Sequence, residues 1–344
     1  MKKRKIFLLA MVVFSVMLTS FSFYFYQVFY GANILIEREN TIVTIHYGEG
    51  FDEVRNKFYD AQVINDVISF SFVSKALGYQ EAVKPGVYYL KTGMSNIETV
   101  RMLRAGDQTP VRITFNNVRL KSELAEKITD NTGIEPEAFE ALLNDDAFLA
   151  DYGVNSENVM TLFLPNTYEV YWTIKPEELF SKMAEEHKKF WTADRIAKAK
   201  VLNLTPVQVS VLASIVQAES IKNDERPTIA GLYLNRLERN IALQADPTLV
   251  YALGDFTIQR VLNEHKRVQS PYNTYLNRGL PPGPINLPTI SSIDAVLNYE
   301  KHDYIYMCAK EDFSGYHRFA KTLVQHNKNA ALFQRALNER RIFR

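Results

Sequence analysis

The sequence has little cysteine and little excess charge, and each shortage excludes a class of protein. Cys308 is the only cysteine in 344 residues, so an intrachain disulfide is excluded, and its apolar neighbours predict a buried, unreactive thiol. The formal net charge is +1, and no basic stripe lies outside the first five residues, which argues against a nucleic-acid partner. No metal-ligand spacing, phosphate-binding glycine loop or Gly-x-Ser-x-Gly elbow is present, so we expect neither a metal nor another cofactor.

The N-terminal segment combines a basic cluster with a long uncharged run. Residues 2–5 (Lys-Lys-Arg-Lys) precede residues 6–30, which carry no charged side chain. At a rise of about 1.5 Å per residue, this run spans a hydrocarbon core of about 30 Å with some tilt. A cleaved signal peptide would be shorter and end in small residues, whereas this run ends in Tyr24, Tyr26 and Tyr30. We predict a single-pass anchor in the cytoplasmic (inner) membrane, with residues 1–5 cytoplasmic, residues 6–30 spanning the membrane and the residues from about 35 onward exported.

The exported part divides into two regions by pattern. Residues 38–118 alternate short strand and helix patterns, including a Ser95-x-x-Glu98 capping box, which is typical of a small α+β module. Residues 119–344 contain further helices and, from Thr205 onward, a high density of chemically specific residues. The predicted fold class is α+β, with the larger region forming a mixed α/β domain.

A helix is predicted to begin at Thr205 and to end at Glu219. Thr205 as N-cap, Pro206 at the first helical position and Gln208 as the returning cap form a helix-start signal. The apolar residues that follow recur at helical spacing: Val207, Val211, Leu212, Ile215 and Val216. Glu219 extends this apolar stripe, so its carboxyl group should be poorly hydrated.

Poor hydration would give Glu219 a chemical use. Desolvation favours the neutral carboxyl group and raises its pKa, and a protonated carboxyl group near neutral pH is what general-acid cleavage of a glycosidic bond requires. Two ordinary readings remain open on the residues alone. Glu219 could simply end the helix at the surface, or it could pair with an arginine such as Arg226.

Five stretches carry a family resemblance when they are taken together and in order. They are residues 213–219 (Ala-Ser-Ile-Val-Gln-Ala-Glu), residues 225–237 with Leu-Tyr-Leu-Asn-Arg-Leu at their end, residues 243–251 (Leu-Gln-Ala-Asp-Pro-Thr-Leu-Val-Tyr), residues 270–285 with Ser-Pro-Tyr-Asn-Thr-Tyr and Gly-Leu-Pro-Pro-Gly-Pro-Ile, and residues 317–327 with His-Arg-Phe and His-Asn. In this order and spacing they resemble the YceG-like family, the endolytic murein transglycosylases also called MltG.

The resemblance implies an architecture and an activity. Residues 38–118 would be a LysM-like module and residues 119–344 a YceG-like catalytic domain. The enzyme would be a lytic transglycosylase that cuts the MurNAc–GlcNAc bond of nascent peptidoglycan strands and leaves 1,6-anhydroMurNAc ends. Glu219 would be the catalytic residue, and because Gln217 replaces a glutamate that the family often shows, it is the only carboxylate left in that motif. Glycan strands, the membrane, and peptidoglycan synthases or elongation and division proteins are the implied partners.

Further residues are suited to sugar binding by their chemistry. Amides and carboxylates can bind hydroxyl and N-acetyl groups, tyrosine rings suit pyranose faces, and Gly279–Pro284 reads as a rigid loop that could wall a cleft. The predicted substrate-binding residues are Asn235, Gln244, Asp246, Tyr272, Asn273, Thr274 and His317. The alternatives are structural: amides cap loops and tyrosines fill cores. At the level of function, the alternatives are a two-carboxylate glycoside hydrolase and a non-catalytic peptidoglycan-binding scaffold.

Overall fold

The computed structural model describes residues 2–34, 40–258 and 260–340. The helices in these ranges are α1 (Lys2–Tyr30), α2 (Phe51–Asp60), α3 (Val67–Ala76), α4 (Asn96–Ala105), α5 (Lys121–Thr129), α6 (Pro136–Leu143), α7 (Asp146–Ala150), α8 (Pro176–Phe190), α9 (Ala193–Val201), α10 (Pro206–Glu219), α11 (Arg226–Glu238), α12 (Asp246–Leu253), α13 (Ile290–Leu297) and α14 (Leu323–Glu339). The strands are β1 (Asn40–Ile45), β2 (Gly86–Lys91), β3 (Val111–Phe115), β4 (Asn166–Val170), β5 (Tyr306–Ala309) and β6 (His317–Ala320). The predicted α+β class with an N-terminal apolar helix is confirmed.

Helix α1 is the membrane anchor. It runs for 29 residues with a mean hydropathy of 2.3, and of the described residues it is the single unbroken helix that is long and apolar enough to cross a bilayer. Its outer surface is exposed except near its end, where Val28 is buried against the residues that follow. The chain therefore carries a single-pass membrane anchor.

One compact unit contains residues 1–112 with two short segments, residues 131–134 and 169–174. Its sheet pairs β1 with β2 in antiparallel register, and α2, α3 and α4 pack around it. The predicted capping box is present, because the Ser95 side chain accepts a hydrogen bond from the Glu98 amide while the Glu98 carboxylate accepts one from the Ser95 amide at 2.9 Å. This unit is a small α+β module.

The second unit contains residues 113–130, 135–168 and 175–344, and α10 lies at its centre. The sequence predicts one buried apolar stripe on α10, but more of the helix is buried than that: every residue from Val209 to Val216 is buried. The reason is that α9, α11, α12 and α13 pack around this helix on several sides. The strands β5 and β6 pair antiparallel, with Tyr306 opposite Ala320.

The ends of α10 are set by its sequence. Thr205 Oγ1 accepts from the Gln208 amide at 3.2 Å and Gln208 Oε1 accepts from the Thr205 amide at 2.9 Å, with Pro206 at the first position, as predicted. The helix stops after Glu219 because Ser220 adopts an extended conformation. Glu219 is thus the last helical residue of a helix buried in the core of its unit.

Candidate active site

Glu219 lies at a cavity of about 230 Å³ inside the second unit. Five elements and two loops supply its walls: the helices α10, α11 and α12, the paired strands β5 and β6, the segment that leads into α12, and the loop after α12. The lining residues are Glu219, Leu232, Tyr233, Arg236, Leu243, Gln244, Asp246, Tyr275, Met307, Cys308, Ala309 and His317. The cavity thus brings together two carboxyl groups, a histidine, an arginine and two tyrosines.

The environment of Glu219 favours its protonated form. Burial of the carboxyl group raises its pKa from 4.5 to about 7, and the negative charge of Asp246 adds to this, while the Tyr233 hydrogen bond and the charges of His317 and Arg236 oppose it. The Tyr233 hydroxyl donates to Glu219 Oε1 at 2.7 Å. The position of Glu219 at the C-terminal end of α10 also raises its pKa, because the negative end of the helix dipole disfavours a carboxylate. Glu219 can therefore hold or release a proton near neutral pH.

Arg226, the alternative partner of Glu219, is used elsewhere. Its guanidinium donates to the Ser220 carbonyl at 3.1 Å and to the Ser292 hydroxyl at 3.0 Å. The hydrogen-bond partner of Glu219 is a neutral tyrosine instead of a cation, so nothing in direct contact locks its carboxyl group in the ionised form.

A second glutamate, Glu225, holds His317 in place. Glu225 is only 6% exposed and accepts from the His317 amide at 2.6 Å, while its Oε2 lies 2.8 Å from His317 Nδ1. Burial would raise the pKa of Glu225, but these hydrogen bonds outweigh it and keep the pKa lowered. For His317, burial lowers the pKa, and the Glu225 hydrogen bond and charge, with Glu219 adding, overcome this and raise it. The pair presents to the cavity an imidazole ring whose pKa is raised by its carboxylate partner.

Asp246 and Arg236 complete the charged groups of the cavity. Asp246 begins α12, is exposed, and accepts a hydrogen bond from the Tyr275 hydroxyl. Arg236 is buried and donates to the backbone carbonyls of Ile305 at 2.6 Å and Leu243 at 2.8 Å. Because its Nε and Nη1 groups are bound to backbone carbonyls, Arg236 contributes charge and rigidity to the wall.

A larger groove of about 1110 Å³ shares Glu219, Asp246 and Ala309 with the cavity. Its lining comes from the loop before α5, the end of α10, and the first turns of α12 and the loop after it. Pockets for small molecules usually measure about 300–1,000 Å³. A groove just above this range, meeting a small cavity at a carboxyl group with a raised pKa, suits a long ligand that reacts at one bond.

Three of the seven predicted substrate-binding residues line the cavity with Glu219, namely Gln244, Asp246 and His317. Gln244 is exposed and has a positive φ of 52°, stabilised by its amide donating to the Thr274 carbonyl at 3.0 Å. This strained backbone aims an amide side chain at the cavity, which is a feature typical of functional sites.

The other four predicted residues lie outside the cavity lining and are engaged in structure. Asn273 is fully buried, donating to the carbonyls of Lys266 and Val268 at 3.0 and 2.8 Å and accepting from the Tyr275 amide at 2.9 Å. The Thr274 hydroxyl accepts from the Ala245 amide at 3.1 Å. These two residues thereby hold the segments that carry Tyr275 and Asp246.

Tyr272 and Asn235 likewise support other segments. The Tyr272 hydroxyl donates to Glu157 at 2.9 Å, and its ring packs on Tyr251 with centroids 4.8 Å apart. The Asn235 amide donates to the carbonyls of His302 and Tyr304 at 2.7 and 3.0 Å. The structure therefore places these two side chains against protein, where their polar groups already have partners.

Two cavity residues, Tyr233 and Arg236, were absent from the predicted set although both lie in the quoted stretch with Asn235. On a helix, Ile229, Tyr233 and Arg236 share one face, because they are four and three residues apart, and all three are buried. Asn235 faces away from that stripe. The helical period of the buried positions was the signal that could have found them.

Cys308 differs from its prediction. It is half-buried instead of buried, and it lies in the cavity wall because β5 pairs only with β6 among the described strands and turns one face to the cavity. Burial raises the pKa of the thiol, so it stays protonated at neutral pH.

Gln217 and the Gly279–Pro284 loop shape the surroundings of α10. The Gln217 amide donates to Asn286 at 3.1 Å and accepts from the Thr289 amide at 2.7 Å, so it fastens α10 to the segment that begins α13. At Gly283 a β-carbon would lie 1.9 Å from the Glu157 carbonyl oxygen, which only glycine avoids. The loop is thus clamped in place, as expected for a rigid loop.

Comparison with known proteins links this arrangement to a family. The sequence model of the YceG-like family matches residues 43–332. The chain is 28% identical to the endolytic murein transglycosylase of Bacillus subtilis strain 168, over 90% of this chain and 91% of that one. It is 27% identical to the endolytic murein transglycosylase of Streptococcus pneumoniae serotype 2 strain D39 over 95% of its length, and spans 65% of that longer protein.

A solved structure is also similar. The crystal structure of a yceG-like protein from Listeria monocytogenes superposes with a TM-score of 0.56 at 28% identity, covering 84% of this chain and 98% of that one. The likeness therefore extends over most of the chain in sequence and in fold.

Proposed function

Since this chain belongs to the YceG-like family, we propose that it is a lytic transglycosylase that cleaves the glycan strands of peptidoglycan, with Glu219 as the catalytic acid and base. The observation that carries the proposal is the Glu219 carboxyl group, whose pKa is raised to about 7 by burial and which stands where the cavity and the groove meet. The Bacillus and Streptococcus relatives are named endolytic murein transglycosylases.

In the first step, protonated Glu219 donates its proton to the oxygen that bridges N-acetylmuramic acid and N-acetylglucosamine. The bond to the anomeric carbon breaks, and positive charge develops on the muramic acid ring. The N-acetyl oxygen of the substrate can stabilise this charge, as in substrate-assisted glycosidases, which depart from the two-carboxylate scheme.

In the second step, ionised Glu219 takes the proton from the 6-hydroxyl group of the same muramic acid. The oxygen attacks the anomeric carbon and closes a 1,6-anhydro ring, which restores the protonated glutamate. Intramolecular attack has an effective molarity that can reach about 10⁵–10⁸ M when the groups are well oriented, so it outcompetes water in a closed site.

The surroundings of Glu219 suit this change of role. The Tyr233 hydroxyl donates a hydrogen bond that stabilises the ionised carboxylate, and the charges of His317 and Arg236, which line the same cavity, also lower the pKa of Glu219. Burial favours the protonated form of Glu219, which the first proton transfer needs. Tyr233, His317 and Arg236 stabilise the ionised form, which is needed for the second transfer. A pKa near 7 balances both steps at neutral pH.

A two-carboxylate hydrolase is the second candidate, and one observation favours it. Asp246 lines the same cavity as Glu219 and is exposed there, so a second carboxylate could assist a water molecule. Glu225, the other carboxylate considered, is committed to His317. Asp246 is therefore the residue through which a hydrolytic reaction would have to run.

Digestion in oxygen-18 water distinguishes the candidates. Purified glycan strands are incubated with the full-length protein, and the products are weighed. The proposal predicts anhydro ends, which lack the mass of one water and carry no label. Labelled reducing ends as the main product would establish hydrolysis, and intact strands would indicate a non-catalytic scaffold.

The remaining parts of the proposal concern architecture and partners. We propose that residues 38–118 form a LysM-like module, that residues 119–344 form the catalytic domain, and that the N-terminus is cytoplasmic with the rest exported. Anchoring by α1 would confine cutting to strands near the membrane, where peptidoglycan synthases and division proteins work. If a reporter fused after Arg344 were found to be active on the cytoplasmic side only, this orientation would be contradicted.

A further inference from the structure

Helix α3 (Val67–Ala76) is apolar on the face it exposes as well as on the face it buries. Its buried face contains Phe70 and Val73. On the opposite face, Ile68 is 80% exposed and Phe72, one turn later, is 55% exposed. A surface helix in water normally shows polar residues on its outer face, and a helix that is apolar all round is usually covered. The exposed face of α3 therefore needs an occupant.

Hydrogen bonds through Asn33 and Asn96 tie the end of α1 to this module. Asn33 accepts from the Asp66 amide at 2.7 Å and donates to Asn96 Oδ1 at 2.6 Å, and Asn96 is 1% exposed. Asn96 also donates to the Val28 carbonyl of α1 at 2.8 Å, one of the last carbonyls of α1, which have no partner within the helix. These buried hydrogen bonds fix the start of α3, at Asp66, to the end of the membrane helix.

Aromatic rings continue from the membrane helix onto α3. Phe25 stacks on Phe29 with centroids 4.4 Å apart, and the Phe29 ring meets the Phe72 ring edge-on at 6.0 Å. The exposed face of α3 is thus continuous with the lipid-facing surface of α1.

The length of α1 places this contact at the membrane surface. A hydrocarbon core of about 30 Å takes about 20 residues, so a span that begins at Ile6 leaves the core near Phe25. Phe29 is one turn further, about 6 Å beyond the core. The polar headgroup layer is about 5–8 Å thick on each side, so Phe29 and its neighbour Phe72 lie within it.

We propose that α3 lies in the membrane interface beside α1, with Ile68 and Phe72 inserted among the lipids, so that the module is seated on the bilayer. Interfacial helices bury their apolar face about 5–10 Å into the boundary between headgroups and acyl chains, which matches this depth. Lys75, exposed near the end of the same face, can extend its amine to the headgroups. The anchor and α3 together fix the height of the module above the membrane.

Fluorophore depth in vesicles tests the proposal. In a Cys308→Ser background, which removes the only cysteine, Ile68→Cys or Phe72→Cys is labelled with a polarity-sensitive dye, and the full chain is reconstituted in vesicles of phosphatidylcholine and phosphatidylglycerol. Some of the lipids carry a nitroxide high on the acyl chain. The proposal predicts blue-shifted emission and at least twofold quenching at both positions.

Tyr47→Cys is the matched control, since Tyr47 is 57% exposed on the same module. It follows the Ile45 end of β1, roughly 17 Å along the strand from the end that pairs with Lys91 near α1. Its label should stay red-shifted and unquenched. Emission at positions 68 and 72 equal to that control would overturn the proposal. Blue-shifted emission without quenching, growing with protein-to-lipid ratio, would show that a second copy covers the face instead, and would also overturn it.

Discussion

The cavity around Glu219 and the nearby loop of residues 270–277 are both rich in polar side chains, but they use them differently. In the loop, Asn273 is fully buried and its side-chain amide is hydrogen-bonded to four backbone groups. In the cavity, Glu219 has a single tyrosine partner, and Asp246 and Gln244 are exposed. Asn273 is held by backbone partners inside the fold, whereas the Asp246 and Gln244 side chains stand exposed at the cavity.

This difference separates side chains that stabilise the fold from side chains that can take part in a reaction. A buried polar group whose partners are all protein stabilises one conformation. A carboxyl group withdrawn from water with few partners keeps a raised pKa and can transfer a proton. Substitutions in the loop should therefore change stability, and substitutions in the cavity should change rate or pH dependence.

The largest effect is expected from Glu219→Gln, which removes the transferable proton with almost no change in shape. Turnover of glycan strands should fall by about 10²–10⁴-fold or more. Because the pKa of Glu219 is about 7 in the folded state and near 4.5 when unfolded, the folded wild type binds more protons between these values and loses stability as pH rises through this window. The glutamine of the variant does not ionise, so it causes no such loss of stability as pH rises.

The melting temperature of Glu219→Gln relative to wild type should therefore increase from pH 5 to pH 8. Thermal unfolding at both values, beside strand digestion, checks both expectations. A folded variant that keeps wild-type turnover would show that Glu219 is not the acid.

Asn273→Ala should destabilise the fold by about 1–3 kcal/mol, because it removes a buried side chain that is hydrogen-bonded to four part-buried backbone groups. Activity per folded molecule, measured well below the melting temperature, should remain within a few-fold of wild type. Asn277→Ala, at an exposed position of the same loop, is the control and should change stability less. If the Asn273→Ala protein were stable but inactive, Asn273 would be a substrate-binding residue. The proposed difference between the loop and the cavity would then be wrong.

Glu225→Gln should act through His317. Without the Glu225 charge, the pKa of His317 falls, so the His317 charge opposes the raised pKa of Glu219 less. The alkaline limb of activity should then move to higher pH, while the maximal rate declines because ionised Glu219 is less well stabilised. A pH–rate profile checks this, and an unchanged limb would limit Glu225 to a structural role.

Tyr233→Phe should have the smallest effect, about three- to tenfold in rate, from the loss of one hydrogen bond. Since that bond lowers the pKa of Glu219, its removal should also shift the alkaline limb upward. A downward shift in the pH–rate profile would mean that the tyrosine stabilises the protonated form.

Local signals in the sequence were sufficient to predict α10 and the glutamate at its end. Thr205, Pro206 and Gln208 define the start of the helix, and the apolar run that follows makes a terminal glutamate conspicuous. These signals involve neighbours within one turn, where helix geometry fixes which groups meet.

The partners of Glu219 could not be predicted in the same way. Tyr233 lies 14 residues further along the chain, and its contact depends on how α11 packs against α10. Side-chain chemistry favoured Asn235 on the same helix, but its amide turns to the segment at His302 and Tyr304. Which polar groups remain open to a ligand is a property of tertiary packing.

Infrared difference spectroscopy of Glu219 tests the central claim most directly. Subtracting the spectrum of the full-length Glu219→Gln protein from that of wild type isolates the carboxyl stretch of this residue across a pH titration. The account predicts a protonated-carboxyl band that persists at pH 5 to 6 and disappears with a midpoint at about 7. A band that is already lost with a midpoint near 4.5 would contradict it, since Glu219 would then be an ordinary ionised carboxylate.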